Sequence, residues 1–410
     1  MTPEITTLAN GLRIASIAML HVETVSIGLH VDTGARFETA ATNGVAHLLE
    51  HMVFKGTETR TARQIAEQIE DVGASLNAYT ARDMTVFHAR LLSADLPLGL
   101  DLIADLVMHP RFDADEVDRE RQVVLQELGE ARDTPDDIVF DHLQEAAFPG
   151  QPLGRSILGS EDSLAGIGAA ELRAWLDGQY RGGSCVLVAA GRVDHQALVA
   201  QAAATLGQLP PGTRPALQAA QFTGTEHHDR RRFEQAHLTL GLAAPGHHDD
   251  DYDAAMLFTT AAGGGMSSRL FQELREERGL AYSVYGSTTP YADTGLFAVY
   301  LATAKRDAAR ATALAINVLG ACASGLEAAE LARAKAQLRA GLLMALEAPG
   351  GWAEYLARQL LVHGRVAPPA EIVERVEACS LDAVRAAGAK MLAGPMARAD
   401  VGAAALKRAA

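Results

Sequence analysis

The sequence predicts an α+β protein of two domains of similar size, each a mostly antiparallel sheet packed with helices. Three observations carry this expectation. Residues 209–225 contain Pro210, Pro211, Gly212, Pro215 and Gly224 and lack a sustained apolar period, so they read as a linker. Each flanking half opens on an alternating strand pattern, at residues 25–31 and 237–242. Each half then runs through a helix, a glycine-containing turn and more strand with hairpin-like joins, unlike the strict strand–helix alternation of a doubly wound sheet. The expected division is residues 1–208, a linker at 209–225, and residues 226–410. The period of about 200 residues is too long for a solenoid.

The elements follow in order. Val25-Ser26-Ile27-Gly28-Leu29-His30-Val31 alternates like a strand and ends at the turn Thr33-Gly34. A helix follows, then strand pattern from Ser75 to Leu91 and a helix from Ala94 to Met108. In the second half His237-Leu238-Thr239-Leu240-Gly241-Leu242 alternates and reaches Pro245-Gly246. Strand pattern then runs from Ala281 to Ala302 and a long helix from Arg306 to Ala323. The Gly263-Gly264-Gly265 run lacks the G-K-[ST] ending of a phosphate loop and reads as a tight turn.

Bulk properties bound the partners. A chain of 410 residues, 48% hydrophobic, can bury large cores. A net charge of -15 argues against nucleic acid and anionic membrane surfaces as partners. Cys185, Cys322 and Cys379 are far apart and show no C-x-x-C spacing, which suggests a reducing compartment and no cysteine metal cluster. The start Met1-Thr2-Pro3-Glu4 has no basic-then-apolar pattern, and no apolar run reaches the length of a membrane span, so a cytoplasmic location is expected.

His47-Leu48-Leu49-Glu50-His51 carries the chemistry. On a helix, residues four apart share a face, so His47 and His51 can grip one ion. Glu50 leans toward the same face and puts a carboxylate beside any water that ion holds. The order H-x-x-E-H reads as an inverzincin signature. A catalytic zinc needs a third protein ligand. The acidic run Asp113 to Glu127 offers candidates, of which Asp113 and Asp115 also suit helix capping and the helix dipole. Glu120 and Glu127 lie two turns apart on one face, and Glu127 follows the apolar Val123-Val124-Leu125. Spacing alone leaves either as the ligand.

The chain resembles peptidase family M16, the pitrilysin type, in the subgroup that includes the mitochondrial processing peptidase. The resemblance runs from about Leu8 to the final helices. Its motifs are Asn43-Gly44-Val45-Ala46 leading into H-x-x-E-H, Phe54-Lys55-Gly56-Thr57 after it, and Asn77-Ala78-Tyr79-Thr80. Gly263 to Phe271 and Arg275 to Tyr282 match in the second half, and Ile138 to Leu143 with Pro152 to Gly159 match that subgroup most closely. Glu127 stands 76 residues after His51, the family spacing.

The resemblance implies one Zn²⁺ per chain held by His47, His51 and Glu127, with Glu50 as general base and Glu120 supporting a ligand histidine. It implies that Asn77 and Ala78 on an edge strand, with Arg275 and Tyr282, bind an extended substrate. Asp137 and Asp141 would receive an arginine two residues before the cut, and Phe54 the residue just after it. Asp137 replaces the family's longer glutamate. The expected activity is that of a zinc endopeptidase on peptides or unfolded, presequence-like segments. The competing expectation is a non-catalytic structural or substrate-binding subunit. A chain of this length supplies half of the family's clamshell, and because it carries both the zinc residues and the Arg/Tyr pair, a homodimer is expected.

Overall fold

The computed structural model describes residues 2–403. They form two compact units, one of residues 2–128, 156–218 and 343–367, the other of residues 129–155, 219–342 and 368–403.

The first unit holds a six-stranded sheet. Its strands are β1 (Glu4–Thr7), β2 (Arg13–Ala18), β3 (Thr24–Val31), β4 (Ser75–Thr80), β5 (Thr85–Leu92) and β6 (Cys185–Gly191), in the order β1-β2-β6-β3-β5-β4. Only the β2–β6 pair is parallel. Ile27, Leu29 and Val31 of β3 share a core with Phe87, Ala89 and Leu91 of β5 and with the helices Val45–Val53 and Leu96–Met108. The helix Pro349–His363 packs on β2, β3 and β6. β3 is therefore buried along nearly its whole length even though its sequence alternates. His30 is only 2% exposed, and its ring lies over Gly28, where an added Cβ would come within 3.0 Å of Nε2. Burial holds the His30 imidazole neutral, with its pKa pushed down to about 4.

The second unit holds β7 (Glu226–Asp229), β8 (Gln235–Ala244), β9 (Ser283–Pro290), β10 (Gly295–Ala304) and β11 (Met396–Val401) in the order β7-β11-β8-β10-β9. Here only β7–β11 is parallel. The helices Tyr252–Gly263, Ala308–Gly325 and Leu381–Ala393 contribute to one core. The helix Pro135–Ala147 contributes Ile138, Val139, Leu143 and Ala146 to another, against Leu296, Ala298, Tyr300, Ala397 and Ala399.

The order β2-β6-β3-β5-β4 thus recurs as β7-β11-β8-β10-β9, with the parallel pair in the same place. The two-domain α+β class is as expected. The boundaries are not. The continuous halves 1–208 and 226–410 differ from the units because Pro135–Ala147 belongs with the second sheet and Pro349–His363 with the first. Each helix buries an apolar stripe on a sheet formed mainly by the other half of the sequence. Among the described residues no single helix is long and apolar enough to cross a membrane.

Candidate metal centre

The helix Val45–Val53 positions three of the expected groups. Its apolar residues Val45, Ala46, Leu48, Leu49, Met52 and Val53 are buried, while His47, Glu50 and His51 are half-buried on the remaining face. The helix starts at Gly44, whose φ of 95° and close approach to Leu158 O (3.0 Å from an added Cβ) require glycine. Gly44 has no side chain to cap the helix, and the buried Glu38 does so instead. Its carboxylate accepts from Gly44 N at 2.8 Å, Ala46 N at 2.9 Å and Asn43 Nδ2 at 2.8 Å. An acid at this end also complements the helix dipole.

The two imidazoles meet at a ring separation of 4.7 Å and an interplanar angle of 63°. The helix Ala114–Asp133 supplies the third donor. Glu127 Oε2 lies 3.8 Å from His47 Nε2 and 3.6 Å from His51 Nε2. The three donor atoms lie within 4.8 Å of one another. A tetrahedral ion at ordinary Zn–N and Zn–O lengths separates its ligand atoms by about 3.4 Å. Two imidazole nitrogens and one carboxylate oxygen at nearly that spacing fit zinc, with a fourth position left for water or substrate.

Glu120, on the same helix, does not share this role. It is 6% exposed and turned to the other side of the His51 ring, whose Nδ1–H donates to Oε2 at 3.2 Å. That bond leaves Nε2 as the lone-pair nitrogen. Lys55 Nζ reaches Glu120 Oε1 at 2.7 Å and balances its charge. His47 has no equivalent support, since its buried Nδ1 lacks a hydrogen-bond partner. Burial, reinforced by the neighbouring His51, pushes the His47 pKa down to about 4, so this ring is in the neutral, ligating form at neutral pH.

Glu50 stands beside the three donors. Burial raises its carboxyl above the usual range, and the Glu127 charge adds to that, against a hydrogen bond with Thr80 and the proximity of His51. Its Oε2 is buried without a hydrogen-bond partner.

Asn77 and Ala78 lie on β4, one of the two edge strands of the first sheet, which among the described residues pairs with β5 alone. Ala78 N donates to its neighbour's Asn77 Oδ1 at 2.9 Å. β4 packs on the motif helix, where Thr80 Oγ1 donates to Ala46 O at 3.4 Å. Phe54 follows that helix directly and is partly buried against the first core, a packing position.

The remaining expected residues belong to the second unit. Asp137 and Asp141 stand one turn apart on Pro135–Ala147, Asp137 exposed and Asp141 half-buried. Partial burial and the charges of Asp141 and Asp136 raise the Asp137 carboxyl. Arg275 sits in the π-helical turn Gln272–Glu276, its guanidinium 4.9 Å from the Phe271 ring centre and 4.0 Å from Glu276. Tyr282 precedes β9, 62% exposed, with its N–H donating to Ala302 O at 2.8 Å.

Two supporting residues escaped the sequence reading. Lys55 lies two residues past the end of the motif helix, where helical periodicity gives no signal. Glu38 has no periodic signal, because it acts from the loop before the helix.

A helix-borne H-x-x-E-H motif completed by a glutamate from a second helix, on an α+β unit, defines a centre of the metallohydrolase class. Comparison with known proteins identifies the family. The sequence profile of the insulinase family, peptidase family M16, matches residues 13–161, and that of the M16 inactive domain matches residues 166–338. A protein named an uncharacterized zinc protease from Rickettsia felis is 34% identical over 371 residues, 90% of each chain. Another of that name from Mycobacterium tuberculosis is 37% identical over 400 residues, 96% of this chain and 91% of that one. The beta subunit of the mitochondrial-processing peptidase of Lentinula edodes is 35% identical over 406 residues, 95% of this chain and 87% of the subunit. A crystal structure titled peptidase M16 inactive domain, from Pseudomonas fluorescens, shares the fold at a TM-score of 0.92 and 24% identity, covering 100% of this chain and 99% of that one. The chain belongs to peptidase family M16.

Proposed function

We propose that the chain is a zinc-dependent endopeptidase acting on peptides or unfolded segments. The observation that carries the reading is the gathering of His47, His51 and Glu127 donor atoms within 4.8 Å, with the Glu50 carboxyl beside them. One zinc per chain, held by those three residues, would polarise the scissile carbonyl and acidify a water. Glu50 would serve as the group that carries a proton between the attacking water and the leaving nitrogen. Glu120 fixes the His51 ring, and Lys55 Nζ holds the other Glu120 oxygen.

The substrate is read as an added strand on β4. Its free edge beside the motif helix supports this, with Asn77 and Ala78 presenting backbone groups to an extended peptide. Arg275 and Tyr282 are proposed as substrate contacts from the second unit. Asp137 and Asp141 are proposed as the acidic pair that favours arginine near the cut. A homodimer and a reducing compartment such as the cytoplasm complete the proposal; the latter rests on three unpaired cysteines.

The test is metal content measured together with turnover of a quenched peptide library. Expected are one zinc per chain and cleavage abolished by chelation; zinc without turnover would leave the non-catalytic subunit reading standing. Two variants probe the supporting residues. Glu120→Gln keeps a hydrogen-bond acceptor but no charge, so zinc affinity is expected to fall about 10- to 100-fold, read by competition with a chromogenic chelator. Asp141→Ala is expected to slow cleavage of arginine-containing peptides selectively. An equal loss across all sequences removes Asp141 from specificity.

A further inference from the structure

The second unit carries a histidine–carboxylate cluster that the peptidase reading does not use. The helix Pro135–Ala147 packs against the edge strand β7. His142 and Glu145 stand three apart on that helix and so share a face. His227 and Asp229 stand two apart on β7 and so project to one side, and both are half-buried while Glu226 and His228 are exposed.

Donor atoms of His142, Glu145 and His227 lie within 4.8 Å of one another, the same limit that His47, His51 and Glu127 meet. His227 Nδ1 is 4.0 Å from Glu145 Oε2, and His142 Nε2 is 3.6 Å from Asp229 Oδ2. Both separations are too long for hydrogen bonds. His142 Nε2 is buried and has no hydrogen-bond partner, an unfavourable state that a bound ion would relieve. The two rings stack face to face, with centroids 3.8 Å apart and planes within 14°. Asp229 is already committed to Arg231, which donates from Nε at 2.8 Å and Nη2 at 2.5 Å. It is therefore held by Arg231 and left out of the ligand set.

We propose that His142, Glu145 and His227 form a second site for a divalent transition ion of the zinc, cobalt and nickel class. Two imidazole nitrogens with one carboxylate oxygen suit these ions better than magnesium or calcium, which take oxygen ligands. The stacked rings must tilt about χ2, a soft torsion, before both lone pairs meet one ion. The bound ion would pin β7, a four-residue edge strand held in the sheet by β11 alone, to the helix. The inference is independent of the peptidase reading.

The experiment titrates the zinc-loaded protein with Co²⁺, following visible d–d absorption and heat while zinc retention is measured. The wild type is expected to take up a further equivalent of Co²⁺ without releasing its zinc. His142→Ala and His227→Ala are each expected to weaken that uptake at least about tenfold. Glu145→Gln, at an exposed helix position where folding is not at risk, is expected to weaken it too. Absence of the further equivalent, its appearance only by displacement of zinc, or its survival in all three variants overturns the proposal.

Discussion

Glu50→Gln is expected to keep its zinc and to cleave peptides about 100- to 10,000-fold more slowly than the wild type. The substitution keeps the shape of the side chain and removes its ability to take a proton. Glu50 is not among the three residues whose donor atoms converge, so the donor set is intact in the variant. The carboxyl is disfavoured as an anion by burial, and an uncharged amide relieves that penalty. Thermal stability of the chelator-treated protein should therefore be unchanged or slightly raised, which separates a lost base from a damaged fold. The measurement is kcat on a quenched peptide, with zinc content and melting temperature on the same preparation. Wild-type turnover in the variant would show that another group moves the proton.

Much of this centre was legible in the sequence for a local reason. The i, i+4 spacing of His47 and His51 is a property of one helix, and helix geometry alone brings the rings together. The choice between Glu120 and Glu127 was not legible in the spacing and came only from the family resemblance. Both lie on one face of one helix, and the periodicity that pairs them cannot say which side of the His51 ring each one meets. That difference is tertiary, set by where the helix Ala114–Asp133 crosses the motif helix: Glu127 meets the Nε2 atoms and Glu120 meets Nδ1. Glu38 was hidden for a related reason. The usual sign of a helix start is a Ser, Thr, Asp or Asn at the cap, and here Gly44 holds that place while an acid six residues upstream folds back to do the capping.

The fold divides in the same way. Strand alternation and the proline-rich stretch predicted two similar α+β halves, because pleating and turn chemistry are local. Exchange of the helices Pro135–Ala147 and Pro349–His363 was not predicted. An amphipathic helix announces a buried stripe, with Ile138, Val139 and Leu143 in the first and Trp352, Leu356 and Leu360 in the second. Nothing in the stripe names the sheet that will cover it. His30 shows the consequence within β3. An alternating strand reads as one dry and one wet face, yet the covering helix makes both faces dry and leaves a buried neutral imidazole on the side expected to meet water.

Glu127→Ala is expected to lose zinc and turnover together, and so to differ in kind from Glu50→Gln. Glu127 brings the only negative charge among the three donors. Without it two neutral imidazoles face a doubly charged ion, and affinity should fall by more than the about 10- to 100-fold typical of losing a supporting group. The Glu127 side chain is 37% exposed, so its removal opens no cavity. The metal-free variant should melt at the same temperature as the chelator-treated wild type. The wild type should additionally gain stability on zinc addition, by mass action on the folded state, and the variant should gain less at equal free zinc. Turnover in the variant should return partly at high zinc, because Glu50 and both histidines are still in place. Partial rescue by zinc distinguishes a lost ligand from a lost base, for which added metal does nothing. If Glu127→Ala instead holds zinc as tightly as the wild type, the third donor lies elsewhere, and Glu120 would be the first residue to test.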